Sequence, residues 1–566
     1  MGHMFSPWTK DLGFLRLRVN LRVDLGLWGA VMTAIVGPSA YGTWQDEIGF
    51  SRLRQTLDSG QPTGAGVRVA LIESSLNGPG DPYLPSVDPR PTSGNFTGKV
   101  FSFLSGPAPV SGHAARAGSF FFGRNTDPLL GDASVAPGAG DGPEAGIECY
   151  QSDRWLGPDF LRLGSDAWPT GGGRVVANHS WIGMSGVEFT AEQVNEALRR
   201  LDWTVERDDA VVVVGLNNGA GTPVPPLLAS AYNVLSIGRS DGRHSTGVSS
   251  FEVDGVGRIK PELVAPMTAT SWSTAVVSSC AALLREAAAA FSPEAQSSEV
   301  MRALLLAGAR RSPFSGWANS ATRPLDAHFG AGEVNVWRSY QILAAGDGGD
   351  GGDGGDVRPL SSGPHGWRSG VAPAAGERHG YVFAVPPGCV ARELAAALVW
   401  NRTVEVAPES SWLEVKPELV NLDLRLATRG GEQAGVELAR SETGAQGSLS
   451  HPLEYVRQRN LAAGEYELVV DTAAAVSDDG RPYGLAWFSE LVPAADPVLE
   501  IGSEPGENTV ALRLTHLGVG LTYDIECSSD LKTWTVEQSV TADAVDTTVT
   551  LTLAGDPAFF RVAWHP

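Results

Sequence analysis

The chain changes its hydrophobic period across an eleven-residue stretch, Gly346 to Asp356, built only from glycine and aspartate. A segment with no apolar residue cannot bury surface, so it reads as a flexible linker between regions that each need a core of their own. A calcium-binding solenoid would require an apolar residue in each turn, and the GGD repeat supplies none. Before this stretch, short β-branched runs alternate with helical segments; after it, apolar and polar residues alternate one by one. Two periods in one chain predict two kinds of architecture.

With 566 residues the chain has room for two to four domains. A formal charge of −22 argues against nucleic acid or anionic membrane as a partner, because binding phosphate takes clustered Lys and Arg. The spacing of Cys149, Cys280, Cys389 and Cys527 offers neither a disulfide scaffold nor zinc-ligand pairs, and Cys280 reads as a small packing residue. At the N-terminus Lys10, Arg16, Arg18 and Arg22 precede an apolar run, Leu25 to Val36, which ends in Gly37, Ser39 and Ala40. That order predicts a secretory signal peptide over residues 1–40. The run is too short for a membrane span, so the expected location is secreted, periplasmic or on the surface of a bacterium.

Residues 41–345 read as an α/β unit. Val67 to Ile72, Arg174 to Ser180, Ala210 to Val214 and Val234 to Gly238 are near-continuous apolar strands. Between the second and third, Thr190 and Gln193 have capping-box spacing, and Val194, Leu198 and Leu201 follow on one helical face. Strand, helix, strand in this order predicts a doubly wound, mainly parallel sheet covered by helices. Beyond the linker, Leu422, Leu424 and Leu426 alternate with Asp423 and Arg425, and Tyr466, Leu468 and Val470 continue the pattern. This predicts an antiparallel β-sandwich over 357–494, and a smaller β module over 495–566.

Three segments pair a reactive side chain with a suitable backbone. Ser271 precedes the helical run Val276 to Ala290, beside the N–H groups and positive partial charge of a helix start. His113 sits among small residues in Ser111-Gly112-His113-Ala114-Ala115, and Glu73 closes a strand at the carboxyl edge, where open α/β sheets carry their sites. Gly238-Arg239-Ser240-Asp241-Gly242 matches GxSxG, but no apolar helix follows it, so it reads as a surface turn.

These segments, with Lys260-Pro261-Glu262-Leu263-Val264-Ala265-Pro266, resemble the subtilases, the subtilisin-like serine peptidases, from about Ala65 to Gln341. The resemblance implies that Ser271 attacks a peptide carbonyl, His113 takes its proton and Glu73 holds the imidazole. It implies an oxyanion donor at Asn217, with Asn218 an alternative register. Ser180, Trp181, Ile182 and Gly183 match the family's substrate-edge strand, which binds an extended protein or peptide substrate. No cofactor is required, and structural calcium is compatible with the family. The acid here is Glu rather than Asp, which moves the carboxylate ~1.5 Å along one more methylene. Ala269 and Ala275 replace a family Gly and Pro, and Arg116 stands where a second His is usual. The stretch before the first core strand is too short for an inhibitory propeptide. Leu419 to Leu424 and Asn460 to Tyr466 resemble a jelly-roll-type sandwich, and Tyr523 to Trp534 a fibronectin-III-like module. A catalytically silent scaffold that binds peptides or protein partners is the second function class this pattern allows.

Overall fold

Continuous apolar runs become buried parallel strands. The computed structural model describes residues 43–74, 96–106, 111–124, 134–183, 189–249, 258–320, 323–346, 363–374, 376–406, 412, 419–430, 434–441, 451–472, 480–502, 509–552 and 559–564. The signal-peptide reading over 1–40 and all of the GGD stretch beyond Gly346 lie outside these residues. Strands β1 (Val69–Glu73), β2 (Phe101–Phe103), β3 (Ile147–Gln151), β4 (Val176–His179), β5 (Val211–Gly215) and β6 (Leu235–Arg239) share one sheet. A short ribbon of β7 (Gly247–Val248) and β8 (Ile259–Lys260) precedes its last member, β9 (Leu263–Ala265). The order is β2-β3-β1-β4-β5-β6-β9, and every pairing in it is parallel.

Helices cover both faces, as a parallel sheet requires. Helix α1 (Gly112–Phe122) and helix α3 (Thr270–Ala288) pack on the face of Val69, Leu71 and Val213. Helix α2 (Ala191–Asp208) covers the face of Ala70, Ile72 and Val212 with Val194, Leu198 and Leu201. Its capping box forms as expected: Gln193 N donates to Thr190 Oγ1 at 3.2 Å, and Thr190 N to Gln193 Oε1 at 2.9 Å. Helix α3 is apolar or small nearly all round, the mark of a helix buried on every side. Its hydroxyls fold back on its own turns, Thr274 to the Thr270 carbonyl at 2.8 Å and Ser278 to Thr274 at 2.9 Å. The helix begins at Thr270 rather than Val276, so Ser271 lies inside its first turn. The motif Lys260-Pro261-Glu262 stitches strands together: Glu262 pairs with Lys260 and accepts from Ser236 N at 2.7 Å.

The sandwich follows. Strands β10 (His365–Val371), β12 (Cys389–Trp400), β15 (Leu453–Leu461) and β17 (Pro482–Pro493) form one antiparallel sheet in the order β10-β17-β12-β15. Strands β11 (Arg378–Val385), β13 (Leu422–Arg429), β14 (Glu437–Arg440) and β16 (Gly464–Thr472) form the other, in the order β11-β16-β13-β14. Leu422, Leu424 and Leu426 are buried while Asp423 and Arg425 are not, as the alternation predicts. Strand β12 departs from alternation: Leu394 to Trp400 are all buried, because its second face packs against the α/β layer. Helix α4 (Ser298–Ala307) lies directly on β17 at Gly484, where a Cβ would fall 2.5 Å from the Val300 nitrogen. Trp367 and helix α5 (Val336–Ala344) extend the same junction, with Trp367 Nε1 donating to the Leu343 carbonyl at 3.2 Å.

Two three-stranded sheets complete the chain. They are β18 (Val498–Gly502), β19 (Thr509–Thr515) and β22 (Thr547–Thr552), and β21 (Thr535–Thr541), β20 (Thr522–Ser528) and β23 (Phe559–Trp564). Leu512, Leu514, Tyr523 and Ile525 form their core. Among the described residues no helix is long and apolar enough to cross a membrane.

Candidate active site

Glu73, His113 and Ser271 come from three separate elements and meet at the carboxyl edge of the sheet. Glu73 is the last residue of β1 and is buried. His113 is held in the first turn of α1, whose start is capped by Ser111 Oγ accepting from Ala114 N at 3.2 Å. His113 Nδ1 lies 2.6 Å from Glu73 Oε2, and His113 Nε2 lies 3.1 Å from Ser271 Oγ. Ser271 Oγ is also 3.2 Å from the Ser180 carbonyl, so its single proton has two acceptors within reach. Ser180 Oγ in turn donates to the Ser271 carbonyl at 2.8 Å and accepts from Asn178 Nδ2 at 2.8 Å.

Burial and pairing set the charges. Burial pushes the Glu73 carboxyl above its ordinary range, and the hydrogen bond from His113 offsets this only in part. For His113, burial by itself favours the neutral ring, but the Glu73 carboxylate outweighs it and raises the imidazole above its usual value. The indole of Trp272 packs over His113 with ring centroids 4.9 Å apart, and the Arg116 guanidinium lies 5.0 Å above that indole. Trp272 was not singled out in the sequence, although it directly follows Ser271.

Ala269 cannot cap α3, and Asn218 does so from another loop, its Oδ1 accepting from Thr270 N at 2.8 Å. Asn217 uses only its backbone carbonyl, which accepts from Ser245 N at 2.9 Å; its side-chain amide has no partner among the described residues. Asn218 thus commits its side-chain oxygen to the helix start, whereas both side-chain polar atoms of Asn217 remain available among the described residues. The Ser271 N–H likewise has no partner among the described residues.

The expected substrate-edge strand is shorter than its sequence match. Strand β4 ends at His179, and Ser180 to Gly183 continue beyond it without strand pairing. Trp181 turns into the apolar cluster with Trp155 and Leu156, its ring 5.9 Å from that of His179. Ile182 is exposed, and Gly183 takes a left-handed φ of 43°. The GxSxG segment is a turn at the end of β6, with Asp241 and Arg243 exposed.

Among the described residues no three His, Cys, Asp or Glu side chains gather as a metal-ligand set. One oxygen-lined recess, formed by the Pro137 and Ala139 carbonyls and Asp141, already holds a cation of the chain itself. Lys99 Nζ donates to those carbonyls at 2.7 and 2.6 Å and lies 3.3 Å from Asp141. Burial pulls this ammonium down to about 8 against the pull of Asp141. That recess does not fit calcium.

The chain is similar to several solved serine proteases at low identity. The structure is similar to the serine protease of Aeromonas sobria, at 12% identity over 86% of this chain and 88% of that one, with a TM-score of 0.31. It is similar to a lanthipeptide protease, at 15% identity over 53% and 93% of the two chains, with a TM-score of 0.34. Fervidolysin from Fervidobacterium pennivorans, a keratinolytic enzyme related to subtilisin, is similar at 12% identity over 89% and 68%, with a TM-score of 0.30. No family model matches the chain, and no curated protein matches it in sequence.

Proposed function

We propose that the protein is a serine endopeptidase of the subtilisin type, acting on flexible or unfolded protein. The observation that carries this reading is the continuous chain from Glu73 Oε2 through both ring nitrogens of His113 to Ser271 Oγ. In this reading Ser271 Oγ attacks the scissile carbonyl carbon while His113 Nε2 takes its proton. Glu73 holds the Nδ1–H and stabilises the imidazolium. The negative oxygen of the tetrahedral intermediate is met by the uncommitted Ser271 N–H and the Asn217 amide. Collapse breaks the C–N bond, and the departing amine takes the proton back from His113. Water, deprotonated by the same ring, then attacks the acyl carbon and frees Ser271.

Export follows from the order of basic, apolar and small residues before Ala40, and N-terminal sequencing of the mature protein tests it. The sandwich is read as a jelly roll, supported by its eight strands dividing as β10-β17-β12-β15 and β11-β16-β13-β14. We assign the last module, by its Tyr523 to Trp534 segment, to the fibronectin-III-like class. Both serve stabilisation or substrate docking.

One observation favours the silent scaffold instead: Glu73 Oε1 is buried without a hydrogen-bond partner. Active-site labelling with a fluorophosphonate separates the two readings. Stoichiometric modification of Ser271, lost in Ser271→Ala and in His113→Ala, is the expected result. A folded protein that takes up no label would be the scaffold.

A further inference from the structure

At the buried end of the triad two side-chain polar atoms, one on Glu73 and one on Gln151, are left without partners. Glu73 and Gln151 end β1 and β3 and stand opposite each other in the parallel register. Register partners in a parallel pair point to the same face, here the one shared with α1 and α3, where Leu71 and Cys149 also lie. Glu73 is 1% exposed and Gln151 7%. His113 takes Glu73 Oε2, whereas Glu73 Oε1 and Gln151 Nε2 are buried with no hydrogen-bond partner. An unpaired acceptor thus neighbours an unpaired donor, on side chains of equal length and strands about 4.8 Å apart. The Gln151 backbone is pinned, its N–H donating to Ser105 Oγ at 3.1 Å, so the side chain is the part able to turn. Its terminal torsion is a soft one.

We propose that Gln151 is the positioning residue of the triad, its amide donating to Glu73 Oε1 and so keeping Oε2 on His113 Nδ1. The inference rests on the peptidase reading above. It also accounts for glutamate as the acid. The extra methylene gives the carboxylate one more torsion through which to swing off the imidazole, and it carries Oε1 away from its own strand. A donor on the adjacent strand removes that freedom and favours the ionised carboxylate in a site whose burial opposes it. The titratable groups facing Glu73 among the described residues are His113 on α1 and Cys149 on β3. Burial raises the Cys149 thiol far above its usual value, so it stays neutral. Helix α3 presents Ser271 and Trp272 to the site, neither of which titrates near neutrality.

The test uses the full chain carrying Gln151→Leu or Gln151→Glu. Two readouts are followed against pH: the rate of fluorophosphonate labelling at Ser271, and the ring-nitrogen NMR signals of His113, assigned with His113→Gln. Without the donor the charged pair loses support, and its protonation midpoint in Gln151→Leu should rise by about one pH unit in both readouts. Labelling below the midpoint would slow about tenfold. Gln151→Glu, which sets a second carboxylate beside Glu73, should move both midpoints further the same way. Unmoved midpoints in a Gln151→Leu protein with native circular dichroism would overturn the proposal. If Gln151→Leu does not fold, Gln151→Met, of similar length and without a donor, is held to the same standard. A wild-type chain that never labels would end the peptidase reading, while the His113 titration would still decide the role of Gln151.

Discussion

Glu73, fully buried, and Glu393, largely shielded, are driven in opposite directions by their surroundings. Glu393 lies on β12 at the junction between sandwich and α/β layer. Its Oε1 pairs with Arg311, and its Oε2 accepts from Arg457 Nε at 2.6 Å. Burial works against its charge, but the two guanidiniums outweigh burial and hold the carboxyl below its usual range. Glu73 has one partner, a histidine that can itself lose its proton, and stays above that range. Burial is common to the two; permanent cations are not. A carboxylate locked by arginines fastens layers together, whereas one answered by an imidazole leaves a proton free to move.

The rest of the junction follows the Glu393 pattern. Arg402 pairs with Asp202, and Asn233 exchanges two bonds with the Arg402 backbone, each of 2.8 Å. Asn401 Nδ2 donates to Glu299 Oε1 at 2.7 Å, and Arg302 bonds Asn401 and the Trp400 carbonyl. Charges that join layers are matched side by side, so the sandwich is a wall of the α/β layer rather than an appendage.

The contrast can be broken first at Glu73. Glu73→Gln keeps the shape but no longer selects the productive histidine tautomer. Peptide hydrolysis should fall by about 10⁴-fold with no loss of thermal stability. Hydrolysis within tenfold of wild type would mean that the acid is not needed. Glu393→Leu should do the reverse, lowering stability in denaturant melts by about 3 kcal/mol, because Arg311 stays buried, and Arg457 half-buried, without this carboxylate. Its labelling rate per folded molecule should be unchanged, and slower labelling would show that the junction reaches the site. Asn217→Ala should reduce turnover about 10²–10³-fold. Asn218→Ala should mainly remove a helix cap, about 1 kcal/mol of stability, so equal effects on turnover would contradict the division between the two.

The smallest effects are expected in pH dependence, and their signs differ. The folded pKa of Glu393 lies below its unfolded value, so its stabilisation is present above about pH 4.3 and is lost as pH falls through the folded value. Glu73 is raised, so its charge weighs against the folded state at neutral pH, and that penalty fades as pH falls through its folded value. Melting temperatures across pH 3–8 should therefore show a flatter acid fall for Glu393→Gln and a gain at neutral pH for Glu73→Gln. His113 is also raised: its stabilisation is complete below about pH 6.5 and is lost as pH rises through its folded value. The labelling rate should climb over that same window, since only the neutral ring accepts the serine proton.

Features encoded by neighbouring residues were legible in the chain alone. The Thr190–Gln193 cap, the apolar run of β5 and the alternation of Leu422, Leu424 and Leu426 rest on contacts within a few residues. The order of Glu73, His113, Asn217 and Ser271 was readable because each sits in a distinctive local segment. One clue to the docked sandwich was also present: Leu394 to Trp400 is a continuous apolar run inside an alternating region, and both its faces are covered. Tertiary pairing decided the rest. Gln151 stands beside Glu73 only because β3 pairs in parallel with β1, with β2 and α1 lying between them along the chain. Asn218 reaches the distant start of α3, and Trp181 is buried in the cluster that holds Trp155 and Leu156, contacts between segments far apart in the chain. Parallel pairing and layer packing join residues far apart in sequence, and no local period records which of them will meet.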